Sequence, residues 1–324
     1  MEVVAPSDPL AILILGPTGS GKTALSLALG ERVGLDKTPR SEIVSCDSVA
    51  VYRGMDLGSA KPTAEEQRRL PHHLIDVANP DQPFTAGEYS RQARAALRQI
   101  ADRSHLPIVT GGTGLYLRAL TMGLFAGPAR HPDLRDRLTR SHHRHSSNWL
   151  HRILQHLDPS SAARIHANDT PKLIRALEVC FATGQPMSQI LESGPGTARD
   201  PLTGFRLLRI GLNPPRHALY QRLNQRAAQM FASGLVEETS SLLAQYGRVQ
   251  ALDALGYRQA LAVLDGTMSL AEAIAAVQQG HRNYAKRQLT WFRREPDVHW
   301  IEDFGDSPAT IEKAIDLVSI ANPR

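Results

Sequence analysis

The sequence predicts an α/β fold: a P-loop-containing parallel-sheet core with an inserted helical domain. Three observations carry this. Short apolar runs alternate with segments of helical spacing from Ala11 to Leu120, the pattern of strands joined by crossover helices. A glycine-rich phosphate-binding signature stands at the first strand-to-helix turn. The alternation stops near Met122, and a helical, basic stretch intervenes before strand-like sequence returns after Thr203.

Ala11-Ile12-Leu13-Ile14-Leu15 is a continuous apolar run bounded by Gly16-Pro17, which reads as a strand buried on both faces. Thr23 to Arg32 follows as a helix. Ile43-Val44-Ser45-Cys46 is a second strand, ending at Asp47, and His73-Leu74-Ile75-Asp76-Val77 is a candidate third. Glu88 to Arg103 has helical spacing, with Tyr89, Ala93, Ala96, Leu97 and Ile100 on one side. Pro107-Ile108-Val109-Thr110 is another strand, closed by Gly111-Gly112, and Thr113 to Leu120 is a helix. Two Gly- and Pro-containing junctions, at 123–128 and at Gly194-Pro195-Gly196, bracket a helical region. Phe205 to Ile210 reads as a strand returning to the sheet. Helices follow from about Arg216 to Leu235, Glu237 to Tyr246 and Leu270 to Arg294. The division is therefore residues 8–122 and 203–320 for a discontinuous core, and 123–202 for the insertion.

Composition narrows the function classes. At 324 residues, 42% apolar and 21% charged, the chain is an ordinary globular one and too apolar for disorder. No apolar run approaches the roughly 18–20 residues of a membrane span, so no membrane partner is expected. Met1 to Leu10 carries Glu2 and Asp8 and no basic region, so no secretory signal is expected there. Cys46 and Cys180 cannot build a disulfide framework or a four-ligand zinc site by themselves. These features predict a cytoplasmic protein. The net charge is +5. The stretch from Arg130 to Arg175 holds eight Arg and one Lys against four Asp, together with seven of the 13 His. Such asymmetry fits a polyanionic partner, and equally a solvated arginine-rich helical face. His142-His143-Arg144-His145 lacks a neighbouring Cys or carboxylate at ligand spacing, which argues against a metal site.

Gly16-Pro17-Thr18-Gly19-Ser20-Gly21-Lys22-Thr23 matches G-x-x-x-x-G-K-[ST] in full, between an apolar strand and a helix. The glycines let successive backbone N–H groups point into one cavity, and the helix N-terminus adds positive potential. Gly16, Thr18, Gly19, Ser20, Gly21, Lys22 and Thr23 are the expected polyphosphate cradle. Lys22 neutralises phosphate oxygens, and the Thr23 hydroxyl can hold Mg²⁺. The motif specifies a polyphosphate, and a diphosphate satisfies the same geometry as a triphosphate. Asp47, at the end of the second strand, can accept a proton from a nucleophile, or can simply cap a turn. A second acid for Mg²⁺ and water is hard to find: the strand to Thr110 ends in Gly111-Gly112-Thr113, and Asp76 is the one loose candidate. Arg222 and Arg226 lie four apart on one helix, opposite Leu219, Leu223, Ala227 and Met230. In the last long helix Ala285, Leu289 and Phe292 form an apolar stripe, and Arg282, Lys286, Arg287, Arg293 and Arg294 make the rest basic. That helix fits phosphate-backbone binding or plain solvation.

Taken together these motifs resemble the bacterial tRNA dimethylallyltransferases, also called tRNA isopentenyltransferases. The matching pieces run in order: GPTGSGKT from Gly16, DSVAVYRGMDLGSAKP from Asp47, HHLID from His72, PIVTGGTGLYLRAL from Pro107, NDTPKLIRALEV from Asn168, ALGYRQA from Ala254 and YAKRQLTWF from Tyr284. The resemblance implies transfer of a dimethylallyl group from dimethylallyl diphosphate to N6 of the adenine 3′-adjacent to the anticodon (position 37). The acceptors would be tRNAs reading codons that begin with U, and diphosphate would be released. It implies Asp47, Thr23 and Arg222 as catalytic residues, with Arg226 the alternative arginine. It also implies tRNA contacts at Asp47, Ser48, Val49, Ala50 and Thr113, and at Asp169, Thr170, Pro171, Lys172 and Leu173. The family commonly has D-P-Q-R where this chain has Asp169-Thr170-Pro171-Lys172, and Ala where it has Gly19. The implied partners are the tRNA anticodon stem-loop and dimethylallyl diphosphate, with Mg²⁺ as cofactor and a monomeric enzyme. The resemblance is to the bacterial type, for which no C-terminal zinc-finger extension is expected. A P-loop small-molecule kinase and a nucleotide-switched RNA-binding protein are the competing readings.

Overall fold

The computed structural model describes residues 8–32, 41–124, 127–128, 131–145, 148–193 and 200–322. The junction Gly194-Pro195-Gly196, Phe125-Ala126 and Arg130 lie outside the described residues. The chain divides into two compact units, Met1–Thr121 with Leu202–Arg324, and Met122–Pro201. The expected division lies one residue further on at each crossing.

In the first unit the elements run β1 (Leu10–Leu15), α1 (Lys22–Arg32), β2 (Ser41–Ser45), α2 (Ala64–Arg69), β3 (His72–His73), α3 (Ala86–Asp102), β4 (Leu106–Thr110) and α4 (Gly114–Met122). In the second they are α5 (Pro132–Arg144), α6 (Trp149–Leu157), α7 (Pro159–Arg164), α8 (Thr170–Thr183) and α9 (Met187–Ser193). The first unit then resumes with β5 (Arg206–Leu212), α10 (Arg216–Ala232), α11 (Leu235–Tyr246), α12 (Tyr257–Leu264), α13 (Leu270–Phe292), β6 (Val298–Ile301) and α14 (Pro308–Ala321).

The six strands form one parallel sheet in the order β3-β2-β4-β1-β5-β6. Register pairs Ile12 with Ile108 and Ile43 with Ile108 across β1, β4 and β2. The three strand ends at Leu15, Thr110 and Ser45 are thus neighbours, and the loops that follow them converge. That is where an open parallel sheet presents a ligand site.

Alternate residues of each strand enter opposite cores. Leu13, Leu15, Val44 and Val109 pack with Tyr89, Leu97 and Ile100 of α3 and Leu117 and Leu120 of α4. Ile12, Ile14, Ile43, Ile108 and Ile210 pack with Leu25 and Leu29 of α1 and with Ala314 and Val318 of α14. Coverage on both faces explains why β1 is apolar at every position. The face expected for α3 is the buried one: Tyr89, Ala93, Ala96, Leu97 and Ile100 are all inside. A third cluster joins α10, α11, α12 and α13 around Met55 and Tyr257.

Two element expectations need correction. The candidate strand from His73 to Val77 is only two residues long, because Leu74 (φ 62°) and Asp76 (φ 54°) are left-handed. The N–H groups of Asp76 and Val77 bond instead to the Ala50 and Val51 carbonyls. The helix from Arg216 ends at Ala232, since Gly234 turns at φ 101° before α11 begins.

The second unit is wholly helical. Leu138, Leu150, Leu154, Leu173, Ala176 and Leu177 form its core. Glu178 is fully buried there and bonds Arg135, Arg175 and the His131 N–H. Burial pushes its carboxyl up, but Arg175, the His131 N–H and Arg135 together hold it below the usual range.

Candidate active site

A cavity of about 350 Å³ opens over the three converging loops, lined among others by Thr18, Gly19, Gly21, Lys22, Thr23, Asp47, Ala50, Gly112, Arg222, Arg226, Tyr284 and Gln288. Its floor is the P-loop. Gly21, at φ 87°, adopts a conformation that side chains avoid, and a Cβ there would stand 2.8 Å from the Gly305 nitrogen. Gly305 N donates to the Ser20 carbonyl at 2.8 Å, so the loop between β6 and α14 braces the cradle. The first N–H groups of α1 are among those a helix leaves unpaired. They make the rim electropositive and short of acceptors.

Lys22 folds back on the loop, donating to the Gly16 carbonyl at 3.0 Å and the Pro17 carbonyl at 2.8 Å. Burial lowers its pKa to about 8, with Arg226 adding repulsion and Asp47 partly offsetting it. The Thr23 side chain lines the cavity one residue on.

Asp47 caps a turn and also borders the cavity. Its Oδ1 accepts from Val49 N at 2.8 Å and Ala50 N at 3.1 Å, a turn-capping role. Oδ2 makes no hydrogen bond among the described residues, and the residue lines the cavity. Thr113 holds the next residue: its Oγ1 accepts from Ser48 N at 3.1 Å and approaches Ser48 Oγ at 3.3 Å. Beneath them Cys46 is buried, which pushes its thiol up to about 12. It is inert packing against stacked Tyr89 and Tyr116.

The two arginines of α10 differ. Arg222 is bound through both Nη atoms to Asp306, at 3.1 and 3.0 Å, and lies over the Phe304 ring at 3.9 Å. Arg226 is half-buried and has no carboxylate partner among the described residues. Burial lowers its pKa, and Asp47 opposes that effect. The resemblance favours Arg222, which lines the cavity while bonded to Asp306 through a partly exposed ion pair.

Asp76 is not among the residues that line the cavity. It accepts from Lys61 Nζ at 2.6 Å, and Lys61 also binds Asp56 at 2.5 Å and the Tyr52 carbonyl at 3.0 Å. Among the described residues no group of three His, Cys, Asp or Glu could hold a metal. In the His-rich stretch, His142 meets Thr170 Oγ1 at 3.3 Å and His145 stacks on Trp149.

The structure brings Asp47, Ser48, Val49, Ala50 and Thr113 together beside the cradle. Asp169, Thr170, Pro171, Lys172 and Leu173 belong to the second unit and start α8. Asp169 caps that helix and is ion-paired with Lys172, and Leu173 is a core residue whose side chain faces inward. Among the residues not singled out from sequence is Gln288, inside YAKRQLTWF. Its signal was available: three residues after Ala285 and four before Phe292, it is a polar residue on the buried stripe.

Sheet order, cradle and cavity define an α/β protein of the P-loop class, with a carboxylate at the neighbouring strand end. Within that class the match is specific. The model of the family described as IPP transferase matches residues 50–295. The tRNA dimethylallyltransferase of Koribacter versatilis is 59% identical over 313 residues, covering 96% of this chain and 99% of that one. That of Solibacter usitatus is 50% identical, covering 95% and 97%. The crystal structure of the tRNA isopentenylpyrophosphate transferase from Bacillus halodurans superposes with a TM-score of 0.69 at 36% identity, covering 96% and 95%. The chain belongs to the IPP transferase family. No described helix is long and apolar enough to cross a membrane.

Proposed function

We propose that this protein transfers the dimethylallyl group of dimethylallyl diphosphate to N6 of the adenine 3′-adjacent to the anticodon. The substrates are tRNAs that read codons beginning with U. The observation that carries the reading is one cavity holding a polyphosphate cradle and, at the next strand end, the Asp47 carboxylate. The names of the relatives support the same reading.

The reaction is a displacement at the allylic carbon. The adenine N6 lone pair forms the new C–N bond while the C–O bond to diphosphate breaks and its electron pair leaves with the diphosphate. Asp47 accepts the proton that N6 loses. Its Oδ1 is held by Val49 and Ala50, so the carboxylate is already oriented, and Oδ2 is the proton acceptor. Negative charge on the departing diphosphate is met by P-loop N–H groups, by Lys22 and by Arg226. Lys22 exchanges the Gly16 and Pro17 carbonyls for phosphate oxygens. Arg226 takes the role the resemblance gives to Arg222, because no carboxylate among the described residues is hydrogen-bonded to it, whereas Arg222 would first have to leave Asp306.

The site suits Mg²⁺ of the kind a diphosphate brings with it. Thr23 offers a hydroxyl with no hydrogen-bond partner among the described residues, and hard cations accept such an oxygen alongside phosphate and water. Bound there, Mg²⁺ would neutralise diphosphate charge. The adenine must leave its stack to reach Asp47, as other base-modifying enzymes require. The exposed Arg140 and Arg144 on α5 suit an RNA backbone. The enzyme would act as a monomer on cytoplasmic tRNA. The test is incorporation of labelled dimethylallyl groups into undermodified tRNA.

A further inference from the structure

Gln288 sits on α13, only 4% exposed, and its amide spans two loops of the site. Its Oε1 accepts from the Thr18 N–H of the P-loop at 2.7 Å. Its Nε2 donates to the Gly112 carbonyl at 2.8 Å. The next residue, Thr113, donates its N–H to the Cys46 carbonyl at 3.1 Å and takes the Ser48 N–H at 3.1 Å on its hydroxyl. Asp47 lies between Cys46 and Ser48. One unbroken chain of bonds therefore runs from the diphosphate cradle through Gln288 to both neighbours of the carboxylate.

The amide fits in one orientation only. Turned over, Nε2 would face the Thr18 N–H and Oε1 the Gly112 carbonyl, donor on donor and acceptor on acceptor. The space is equally specific: a Cβ on Gly112 would stand 2.1 Å from Nε2. Tyr284, one turn earlier, also reaches the Gly112 carbonyl at 3.4 Å, but has no bond to the P-loop. Gln288 alone among the described residues joins the two loops through a single side chain.

We infer that Gln288 is a positioning residue that couples the diphosphate cradle to the Asp47 segment. The inference rests on the function proposed above. Filling the cradle loads the Thr18 backbone, and Gln288 passes that constraint to Gly112, Thr113 and Ser48. The leaving group and the proton acceptor are thereby held at one fixed separation, on which displacement rates depend steeply. Coupling of this kind needs a continuous physical network, and hydrogen bonds of Gln288 and Thr113 supply it from one end to the other.

The test compares wild type with Gln288→Leu, which keeps the volume and removes both bonds. Amide hydrogen exchange is followed with and without inorganic diphosphate and Mg²⁺, beside single-turnover transfer at saturating substrates. In wild type, diphosphate should slow exchange at 16–23 and also at 46–50 and 111–114. In Gln288→Leu the protection at 16–23 should remain and the rest should be lost, with transfer slowed about 10–100-fold. A purely structural role would alter exchange equally with and without diphosphate. If Gln288→Leu does not fold, Gln288→Glu takes its place. It keeps the acceptor for Thr18, opposes the Gly112 carbonyl, and should give the same uncoupling. Unchanged protection at 111–114 in the variant, or unchanged transfer, would overturn the inference while leaving the transferase reading intact. Diphosphate protection nowhere in wild type would remove the inference, and absence of label from tRNA in wild type would remove the transferase reading.

Discussion

Arg222 and Asp306 face each other through two hydrogen bonds, Nη1 to Oδ1 at 3.1 Å and Nη2 to Oδ2 at 3.0 Å, while Arg226 one turn along has no such partner among the described residues. The pair is solvent-accessible, at 39% and 46% side-chain exposure, so losing it is cheap. Arg226→Ala should slow prenyl transfer by about 10²–10³-fold, the scale for one lost donor to developing charge. Arg222→Ala should cost about tenfold or less. Steady-state kinetics of the two variants decide it, and the reverse ranking would return the role to Arg222.

Asp47→Asn should leave the fold untouched, because an asparagine oxygen can still accept from Val49 N and Ala50 N. It cannot take the N6 proton. Turnover should fall by about 10²–10⁴-fold with diphosphate affinity little changed. Near-normal turnover would leave Asp47 as a turn cap and nothing more.

The pH profile follows from Lys22, whose pKa burial lowers to about 8. The ammonium form is the one that binds phosphate. It predominates below that value and is lost above it. The kcat/KM for dimethylallyl diphosphate, which reports the free enzyme, should therefore fall as pH rises past about 8, approaching tenfold per pH unit. Rates at constant ionic strength from about pH 6.5 to 9.5 test this, and a limb that persists in Lys22→Ala would assign it to another group.

Gly111 lies against Cys46: a Cβ at 111 would stand 2.2 Å from the Cys46 carbonyl oxygen. That atom is backbone and cannot swing away. Gly111→Ala should destabilise by about 1–3 kcal/mol and displace the adjoining Asp47. Gly87→Ala is the control. Its Cβ would meet nothing nearer than 3.7 Å inside α3, and a gain of up to about 1 kcal/mol is expected. Denaturant midpoints distinguish the two.

Arg140 and Arg144 are exposed on α5. If they bind RNA phosphates, replacing both with Ala should weaken tRNA binding and flatten its salt dependence by roughly 0.7–0.9 for each phosphate no longer neutralised. Diphosphate affinity should be unaffected. An identical salt slope would mean that their charge is only solvated.

Much of the fold was legible from residue patterns. The all-apolar run at Ala11–Leu15 and the stripe from Tyr89 to Ile100 report burial directly, because sheet and helix impose periods a sequence can show. The cradle was legible because backbone N–H groups do its work and glycines mark where the chain must curl. What stayed hidden is pairing at a distance. No local pattern says that Asp306 claims Arg222 across 84 residues, or that Lys61 claims Asp76. The left-handed turn at Leu74 falls on a residue that rarely adopts it, so Asp76, which tolerates that conformation and is disfavoured in strands, was the one composition signal against the strand. Gln288 was masked by basic neighbours, although its place on the buried stripe was there to be read.

The central claim is that the P-loop of this chain holds a diphosphate leaving group and not a triphosphate to be hydrolysed. It is tested most directly by offering both. Protein, Mg²⁺, undermodified tRNA and labelled dimethylallyl diphosphate are mixed, and in parallel ATP replaces the allylic substrate. Label should enter tRNA and disappear in Lys22→Ala, with no useful phosphate release from ATP with or without tRNA. Robust ATP turnover dependent on Lys22, with no label entering tRNA, would contradict it.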